Sequence, residues 1–315
     1  PTPVPSSMGY FHSRRLQQRI IELTQRQQFD FIIVHSSSVA PYVQHCRDIP
    51  AMIDFCDMDS QKWLTYVDWK PFPLNLGYWI EGTKLAAAER RIAADFAVST
   101  VATPAELQSL EEMGTANRAE WFANGVDSEF FCRTRPYKPD GPLVFVGRMD
   151  YYPNEKAMLD FCAHNWPALR ASEPDLELAI VGAAPTRKVQ ALAELPGVTV
   201  TGYVDDVRPW LERASIAIAP LEIARGTQNK ILEAMAMELP VVSSVTAAGG
   251  VAAESGHHLE TAGDITQFND AILSLRRHPG RAGSLGTAAR AQVLDAHAWS
   301  ASMQKMQAIV ESYAA

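Results

Sequence analysis

The second half of the chain alternates short β-branched runs with segments of helical periodicity, and this alternation constrains the fold more than any other feature. Apolar runs of this kind are typical of strands that are covered on both faces, as in parallel sheets. The predicted strands cover 142–147, 176–182, 198–202, 216–220 and 240–244, and the predicted helices cover about 154–170, 185–195, 205–213 and 228–238. Glycine or proline stands at the junctions. The pattern predicts a doubly wound α/β domain.

The first half repeats this organisation with fewer elements, which predicts a thinner α/β domain. Its predicted helices lie at about 12–28 and 75–94, and its four predicted strands lie at 29–34, 51–55, about 96–100 and 120–123. The last segment has an apolar stripe that requires burial. The predicted boundaries are an N-terminal domain at 1–132, a linker at 133–141, a second domain at 142–297 and a terminal helix at 298–315 that returns to the N-terminal domain.

Composition supports two domains and excludes several classes of protein. A chain of 315 residues with 47% hydrophobic residues exceeds what one core usually supports. The formal charge of −8 disfavours general binding to nucleic acid. No apolar run approaches the roughly 20 residues that span a bilayer, and residues 1–10 lack the features of an export signal. The four cysteines are too scattered for a metal motif and too few for a disulfide scaffold, so we expect a cytoplasmic protein with reduced thiols.

Three loops of the second half carry residues suited to an anion, because ligands of open α/β sheets bind beyond the carboxyl ends of strands. The first two loops contain Gly147, Arg148 and Gly182. In the third, Gly226 allows close backbone approach to a phosphate, Thr227 offers a hydroxyl and Lys230 offers a cation. A plain helix start, with Thr227 as the cap and Lys230 in solvent, explains the same residues equally well.

Glu233 lies three residues after Lys230 and shares its helix face. A carboxylate at this depth can accept hydrogen bonds from both hydroxyls of a ribose. It can also form an ion pair with Lys230, and the sequence leaves both alternatives open.

Motifs of several other enzyme classes are absent. No GxGxxG follows a strand and no GxxxxGK[ST], GxSxG or HExxH occurs, which disfavours nicotinamide, P-loop, serine-hydrolase and zinc-protease functions. His257 and His258 stand in a polar loop without a third ligand at useful spacing, so solvated histidines are favoured over a metal site.

Polar residues also follow the strands of the first half. His35 and the serines at 36–38 occupy a position typical of active sites, although capping serines and a buried structural histidine fit equally well. Asp54, Asp57 and Asp59 suggest a metal site, but Asp59 is also placed to cap the next helix. The sequence favours the explanation without a metal.

Several short motifs follow one another along the chain in a characteristic order. They are DFCDMDS at 54–60, Glu89-Arg90 with Asp95 and Ser99, NGVD at 124–127, VGRMDYYPN at 146–154, IVG at 180–182, VTVTGYVDDVRPWL at 198–211 and ARGTQNKILEAMAMELPVVSS at 224–244. From about residue 28 onward, this series resembles the retaining glycosyltransferases of family 4. Within that family, DFCDMDS and ARGTQNKILEAMA look like the sugar transferases associated with bacterial exopolysaccharide and exosortase systems.

The resemblance implies the B-type glycosyltransferase fold, an α/β fold in which two Rossmann-like domains face each other. It implies that Arg148, Lys230 and the helix start at Gly226 and Thr227 stabilise a leaving diphosphate. It also implies that Glu233 holds the ribose, that Gly182, Tyr203 and Val204 line the base pocket, and that Gly147 is among the donor-binding residues. Since protein cations stabilise the leaving group, we expect no cofactor and no metal ion.

The chain departs from the family pattern at several positions. Arg225 stands where the first of two glutamates is usual, and we expect it to face the diphosphate or another anionic group. An ion pair with Glu222 at the mouth of the cleft is the alternative. Asn154, with the preceding proline, holds the place of a common lysine, and Cys56-Asp57 hold that of a catalytic His-Asp pair. Family members begin with further strands and a glycine-rich acceptor loop, so we expect an incomplete N-terminal domain.

The leading hypothesis is a retaining glycosyltransferase that moves a sugar from a nucleoside diphosphate sugar to a glycan or lipid-linked acceptor in exopolysaccharide synthesis. A nucleotide-sugar epimerase of the same fold and a non-catalytic nucleotide-sugar-binding module remain alternatives. The expected partners are the donor and the acceptor, without nucleic acid. A lipid-linked acceptor would bring a peripheral contact with the inner membrane.

Overall fold

A computed structural model describes residues 4–313, which form two compact units. The first unit runs to Ala123 and includes the chain from Met303 onward, and the second runs from Asn124 to Ser302. The predicted linker at 133–141 therefore lies inside the second unit. There, Arg133 Nε donates to the carbonyl oxygen of Met237 at 2.8 Å.

A parallel sheet in the order β1-β2-β3-β4 forms the centre of the first unit. Its strands are β1 (Ile32–His35), β2 (Ala51–Cys56), β3 (Val98–Val101) and β4 (Ala119–Trp121). Its helices are α1 (Ser6–Tyr10), α2 (Arg14–Arg26), α3 (Asp59–Trp69), α4 (Leu74–Asp95) and α5 (Pro104–Glu112). The four predicted strands are confirmed, and the core between sheet and helices contains Ile53, Phe55, Ile92 and Leu110.

Buried glutamates from neighbouring helices bind the start of α3. Ser60 N donates to Glu89 Oε1 at 3.0 Å, and Met58 N donates to Glu106 Oε2 at 3.0 Å. The expectation that Asp59 caps this helix is wrong, because the capping position belongs to Met58 and carries no side-chain cap. Two carboxylates distant in sequence thus accept from the free N–H groups of the first turn.

The chain turns sharply after β1. Ser36 has a φ of 79°, and its side chain accepts a hydrogen bond from Ser38 N at 3.4 Å, so the capping role of the serines is confirmed. The His35 side chain is 75% exposed. The expectation of a buried structural histidine is therefore wrong, because the last residue of β1 points its ring out of the core.

The second unit is built around a larger parallel sheet in the order β10-β9-β8-β5-β6-β7. Its strands are β5 (Leu143–Val146), β6 (Leu178–Val181), β7 (Val198–Val200), β8 (Ile216–Ala219), β9 (Val241–Ser244) and β10 (Glu260–Ala262). Its helices are α6 (Tyr152–Asp160), α7 (Trp166–Ser172), α8 (Arg187–Ala191), α9 (Arg208–Arg213), α10 (Asn229–Ala236), α11 (Val245–Ala248), α12 (Ile265–Arg277) and α13 (Pro279–Ala296). Strands β5, β6 and β8 are buried over nearly their whole length, which confirms the prediction of a doubly wound α/β domain.

The last helix, α14 (Trp299–Glu311), begins in the second unit and contributes its residues from Met303 onward to the first. Ile309 is 6% exposed and clusters with Met52 of β2 and Val98 of β3. The later part of the apolar stripe, at Met306, Ile309 and Tyr313, thus packs against the sheet of the first unit, whereas Met303 is 40% exposed. Within residues 4–313, no helix is both long enough and apolar enough to cross a membrane.

Candidate functional site

The candidate site lies at the carboxyl ends of β5 and β8. Strand order reverses between these two neighbours, since β6 and β7 continue on one side and β9 and β10 on the other. In an open α/β sheet, such a switch point leaves a crevice where ligands bind. The sequence 224–236 brings a glycine loop and the start of α10 to this position.

Glycines let the loops around the crevice touch through their backbones. Gly182 has a φ of 143°, and a Cβ atom there would lie 1.9 Å from the carbonyl oxygen of Gly147. A Cβ atom on Gly250 would lie 1.9 Å from the carbonyl oxygen of Gly226, whose own φ is 62°. Only residues without a side chain fit these approaches, so the loops after β5, β6 and β8 are held in position by glycine.

Lys230 is the central cation of the site. Its Nζ atom donates to Asn154 Oδ1 at 2.5 Å and lies 4.6 Å from the centroid of the Phe145 ring. Burial lowers the pKa of Lys230 to about 8, and the charge of Glu233 opposes this shift. The expectation of a solvated lysine is wrong, because the first turn of α10 turns this side chain toward β5.

Thr227 does not cap α10. The capping position belongs to Gln228, which forms no side-chain cap, so the prediction of a threonine cap is wrong. The Thr227 hydroxyl oxygen is buried and has no hydrogen-bond partner within residues 4–313. A buried hydroxyl without a partner costs about 1–3 kcal/mol, which a polar ligand would offset. This side chain is therefore suited to contact an anion at the start of α10.

Glu233 lies one turn further along α10 and is partly buried. Burial raises the pKa of Glu233 to about 7, and the charge of Lys230 opposes this shift. The predicted alternative of an ion pair with Lys230 does not form at 4.0 Å or less in the part of the chain that the structure describes. The carboxylate thus remains available to accept hydrogen bonds.

The two predicted arginines are more exposed than Lys230. The Arg148 side chain is 70% exposed and pairs with Asp150, with Nε to Oδ1 at 2.6 Å and Nη2 to Oδ2 at 2.9 Å. Arg225 is exposed, and its carbonyl oxygen accepts from Gln228 Nε2 at 3.0 Å. The structure therefore does not bring Arg148 and Arg225 into the buried cluster of Lys230 and Asn154.

The residues predicted to line the base pocket follow β7. Tyr203 is 74% exposed, whereas Val204 is partly buried and packs against the core of the second unit. The Thr201 hydroxyl accepts from Gly182 N at 3.3 Å, which links the loop after β6 to the end of β7. Gly182 and this segment therefore lie next to each other on one edge of the sheet.

Comparison with known proteins finds a similarity that lies within the second unit. Residues 141–278 match the family model described as "Glycosyl transferases group 1". The matched segment contains the whole switch-point site, from Gly147 to Gly250.

One curated relative is a phosphatidyl-myo-inositol mannosyltransferase of Propionibacterium freudenreichii, which is 34% identical over 106 residues. The alignment covers 33% of this chain and only 26% of that relative's length. The shared segment is thus about a quarter of the curated relative it matches.

Two solved structures resemble nearly the whole chain. Sucrose-phosphate synthase from Thermosynechococcus elongatus has a TM-score of 0.73 at 16% identity, with 95% of this chain and 77% of that chain covered. HepE from Anabaena, in complex with UDP and glucose, has a TM-score of 0.73 at 13% identity, with 94% and 81% covered. The chain therefore has the B-type glycosyltransferase fold, with two Rossmann-like domains, as the sequence predicts.

Asn154 belongs to the candidate site, although the sequence analysis assigned it no role there. It is 5% exposed and donates from Nδ2 to the carbonyl oxygen of Arg148 at 2.9 Å while accepting from Lys230. The signal was present in the VGRMDYYPN motif, where Asn154 replaces a lysine. Asn154, which accepts a hydrogen bond from Lys230, therefore stands where the family pattern has a second lysine.

Proposed function

We propose that this protein is a glycosyltransferase that moves a sugar from a nucleoside diphosphate sugar to a glycan or lipid-linked acceptor with retention of configuration. The observation that carries the proposal is the position of Lys230 and Thr227 at the switch point between β5 and β8. The cation and the buried, unpartnered hydroxyl lie together at the start of α10. A diphosphate is the ligand chemistry that suits this combination.

The difficult step in glycosyl transfer is departure of the diphosphate from an oxocarbenium-like centre. Negative charge develops on the leaving oxygen, and groups already held near that position lower the barrier. Lys230 is held by Asn154 and lies against Phe145, so the cation requires little reorganisation. The backbone N–H groups at the start of α10 add positive potential.

The roles proposed for the other predicted residues rest on the resemblance of their motifs to those of family 4 glycosyltransferases. Glu233 accepts hydrogen bonds from the ribose hydroxyls, while Gly182, Tyr203 and Val204 contact the base. Gly147 and Gly226 allow the backbone to approach the phosphates. Arg148 and Arg225 lie at the exposed side of the site, and we infer that they contact the donor once it has bound.

The name of the curated relative supports a lipid-linked acceptor, since that relative is a phosphatidyl-myo-inositol mannosyltransferase. The UDP and glucose bound to HepE support a uridine nucleotide as the first donor to test. A role in exopolysaccharide synthesis in the cytoplasm, with peripheral contact to the inner membrane, extends this proposal and rests on the resemblance of the 54–60 and 224–236 motifs.

Arg225 favours one alternative function, a non-catalytic nucleotide-sugar-binding module. A cation stands where the family pattern has a carboxylate, so the charge near the donor sugar is inverted. If Arg225 serves catalysis, both Arg225→Ala and Arg225→Glu lower turnover by more than about tenfold, equal to about 1.4 kcal/mol. Higher turnover in Arg225→Glu would instead indicate a decayed catalytic site.

Calorimetric titration with UDP tests the binding step. Lys230→Ala should weaken binding by about tenfold or more, because a charge-assisted hydrogen bond contributes roughly 1.5–3 kcal/mol. Lys230→Met keeps the packing on Phe145 and should show the same loss. Lys188→Ala is the matched control, since Lys188 is exposed in the same domain. Equal affinities in all four proteins would rule out this site.

Labelled UDP-sugar, incubated with the protein and bacterial membranes, tests the catalytic step. Transfer of label to a lipid or polymer fraction, together with release of UDP, supports the transferase. Conversion of the donor sugar without an acceptor would indicate an epimerase. Tight binding with neither outcome, across the common nucleoside diphosphate sugars, would indicate the binding module.

A further inference from the structure

We propose that His35, Asp54 and Cys56 form a zinc site in the first unit. The three side chains converge at the carboxyl ends of β1 and β2, and their nitrogen, oxygen and sulfur atoms lie within 4.8 Å of one another. This inference goes beyond the proposed glycosyl transfer and uses none of the residues assigned to the donor site.

Strand register brings the three residues together. His35 is the last residue of β1 and is the direct ladder partner of Asp54 on β2. Asp54 and Cys56 are two residues apart on β2. The pairing of β2 with β3 shifts between Asp54 and Cys56, and Cys56 has a φ of 62°. This irregularity turns the Cys56 side chain back toward the other two.

The distances fit a tetrahedral zinc ion. His35 Nδ1 lies 3.1 Å from Asp54 Oδ2 and 3.5 Å from Cys56 Sγ, and Sγ lies 3.4 Å from Oδ2. Zinc bonds of about 2.0–2.3 Å to nitrogen, oxygen and sulfur place the ligand atoms of a tetrahedron about 3.3–3.6 Å apart. The spacing of the three atoms matches one face of such a tetrahedron. Sγ also lies 3.6 Å from Nε2, so the exposed His35 ring must turn on binding to direct Nδ1 at the ion.

Further hydrogen bonds orient the carboxylate. The other oxygen of Asp54, Oδ1, accepts from Cys56 N at 3.1 Å and from the Thr100 hydroxyl at 3.1 Å. Thr100 is fully buried in β3, so its hydroxyl is fixed by the sheet. Hydrogen bonds of this kind hold a ligating group in its bonding direction, and their loss typically reduces metal affinity by about 10–100-fold.

The three ligand atoms favour one class of metal ion. Thiolate and imidazole favour zinc over magnesium or calcium, which take oxygen ligands. From the sequence, Asp54, Asp57 and Asp59 were candidate metal ligands. Of these three, only Asp54 belongs to the potential metal-binding cluster found within residues 4–313. The exposed His35 ring leaves the solvent side open for a fourth ligand, as in zinc sites that bind water or substrate. On binding, the Cys56 thiol loses its proton to solvent and becomes the ligand.

Titration of the full chain with zinc chloride in reduced, chelator-free buffer tests the proposal. We expect one high-affinity zinc ion per chain. His35→Ala should weaken binding by at least about tenfold, since removing a ligand costs no less than removing a group that orients one. His35 is exposed, so this variant should keep its fold. Thr100→Val should weaken binding by about tenfold while all three ligands remain.

Cobalt substitution reports directly on the sulfur ligand. Bound cobalt should show a thiolate charge-transfer band and the strong visible bands of a tetrahedral ion. Cys56→Ser should lose the charge-transfer band, whereas Cys132→Ser should keep it because Cys132 is an exposed cysteine outside the cluster. Zinc bound equally well by His35→Ala would overturn the proposal and direct attention to the contacting pair His257 and His258. A failure of the wild-type chain to bind zinc would also overturn it.

Discussion

Lys230 and Glu233 are two partly buried charges on one helix that have no ion pair between them. Burial lowers the pKa of Lys230 to about 8 and raises that of Glu233 to about 7. Both shifts mean that the charged forms are disfavoured in the ligand-free protein. A diphosphate near Lys230 and a ribose near Glu233 would stabilise the charged forms. Perturbed groups at a crevice of this kind are a recognised signature of a functional site.

The affinity for UDP should fall as the pH rises above about 8. Binding requires the protonated lysine, and above its pKa each further pH unit makes protonation about tenfold less favourable. The UDP phosphates are fully ionised well below this range, because their last pKa is about 6. Calorimetry between about pH 7 and pH 9 measures the profile. Lys230→Met should lose the fall in affinity above about pH 8 and keep only the change that accompanies titration of Glu233, whose pKa is about 7. A wild-type profile without a fall above about pH 8 would contradict the assignment.

Glu233→Gln should weaken UDP binding and leave pyrophosphate binding almost unchanged. A carboxylate that accepts ribose hydroxyls contributes roughly 1.5–3 kcal/mol, and pyrophosphate has no ribose. Lys230→Ala should weaken both ligands. Competition titrations of UDP and pyrophosphate against each variant separate the two roles. An equal loss for both ligands in Glu233→Gln would show that Glu233 acts through the charge of Lys230 instead.

At the scale of elements, the long apolar strands were predictable and the short polar ones were not. Strands β5, β6 and β8 lie within the predicted runs because burial on both faces demands continuous apolar residues. Strand β10 has the sequence ETA, which carries no such signal, and it exists because β9 offers a free edge. The helix expected after Asp59 forms as α3, but its start is bound by Glu89 and Glu106 from other helices, which the local sequence does not specify.

The sequence predicts that site residues lie together only where those residues are close to one another along the chain. Gly226, Thr227 and Lys230 occur on one loop and helix, so their proximity follows from local geometry. The contact of Lys230 with Asn154 depends on β5 and β8 being neighbours, which periodicity does not specify. The pairing of His35 with Asp54 likewise depends on a parallel register that only the folded sheet defines.

Gly182→Ala should disrupt the donor loops. The added Cβ atom would lie 1.9 Å from the carbonyl oxygen of Gly147, and a φ of 143° is strained for alanine. The loop must therefore move, and we expect UDP affinity to fall about tenfold with a loss of about 1–3 kcal/mol in stability. Gly280→Ala in α13 is the control, because nothing lies within 4 Å of the added atom. It should not lower either quantity. Wild-type UDP affinity in Gly182→Ala would show that this contact is not needed.

At the scale of the whole molecule, the formal charge is −8, yet nearby groups determine the electrostatic potential at the donor site. Surface charges are screened over about 8–10 Å at ordinary ionic strength, whereas Lys230 and the start of α10 act at contact distance. The two units also have separate cores, which predicts that they can be destabilised separately.

Ile309→Ala should destabilise the first unit and leave the second intact. Ile309 is 6% exposed and packs with Met52 and Val98, so its truncation should cost about 2–4 kcal/mol. In urea unfolding, we expect the transition of the first unit to move to lower urea while UDP affinity stays unchanged. Met303→Ala is the matched control on the same helix, because Met303 is 40% exposed and should change stability by no more than about 0.5 kcal/mol. If Ile309→Ala shifted both transitions and weakened UDP binding together, the two units would fold as a single cooperative body, and the terminal helix would stabilise the donor domain as well.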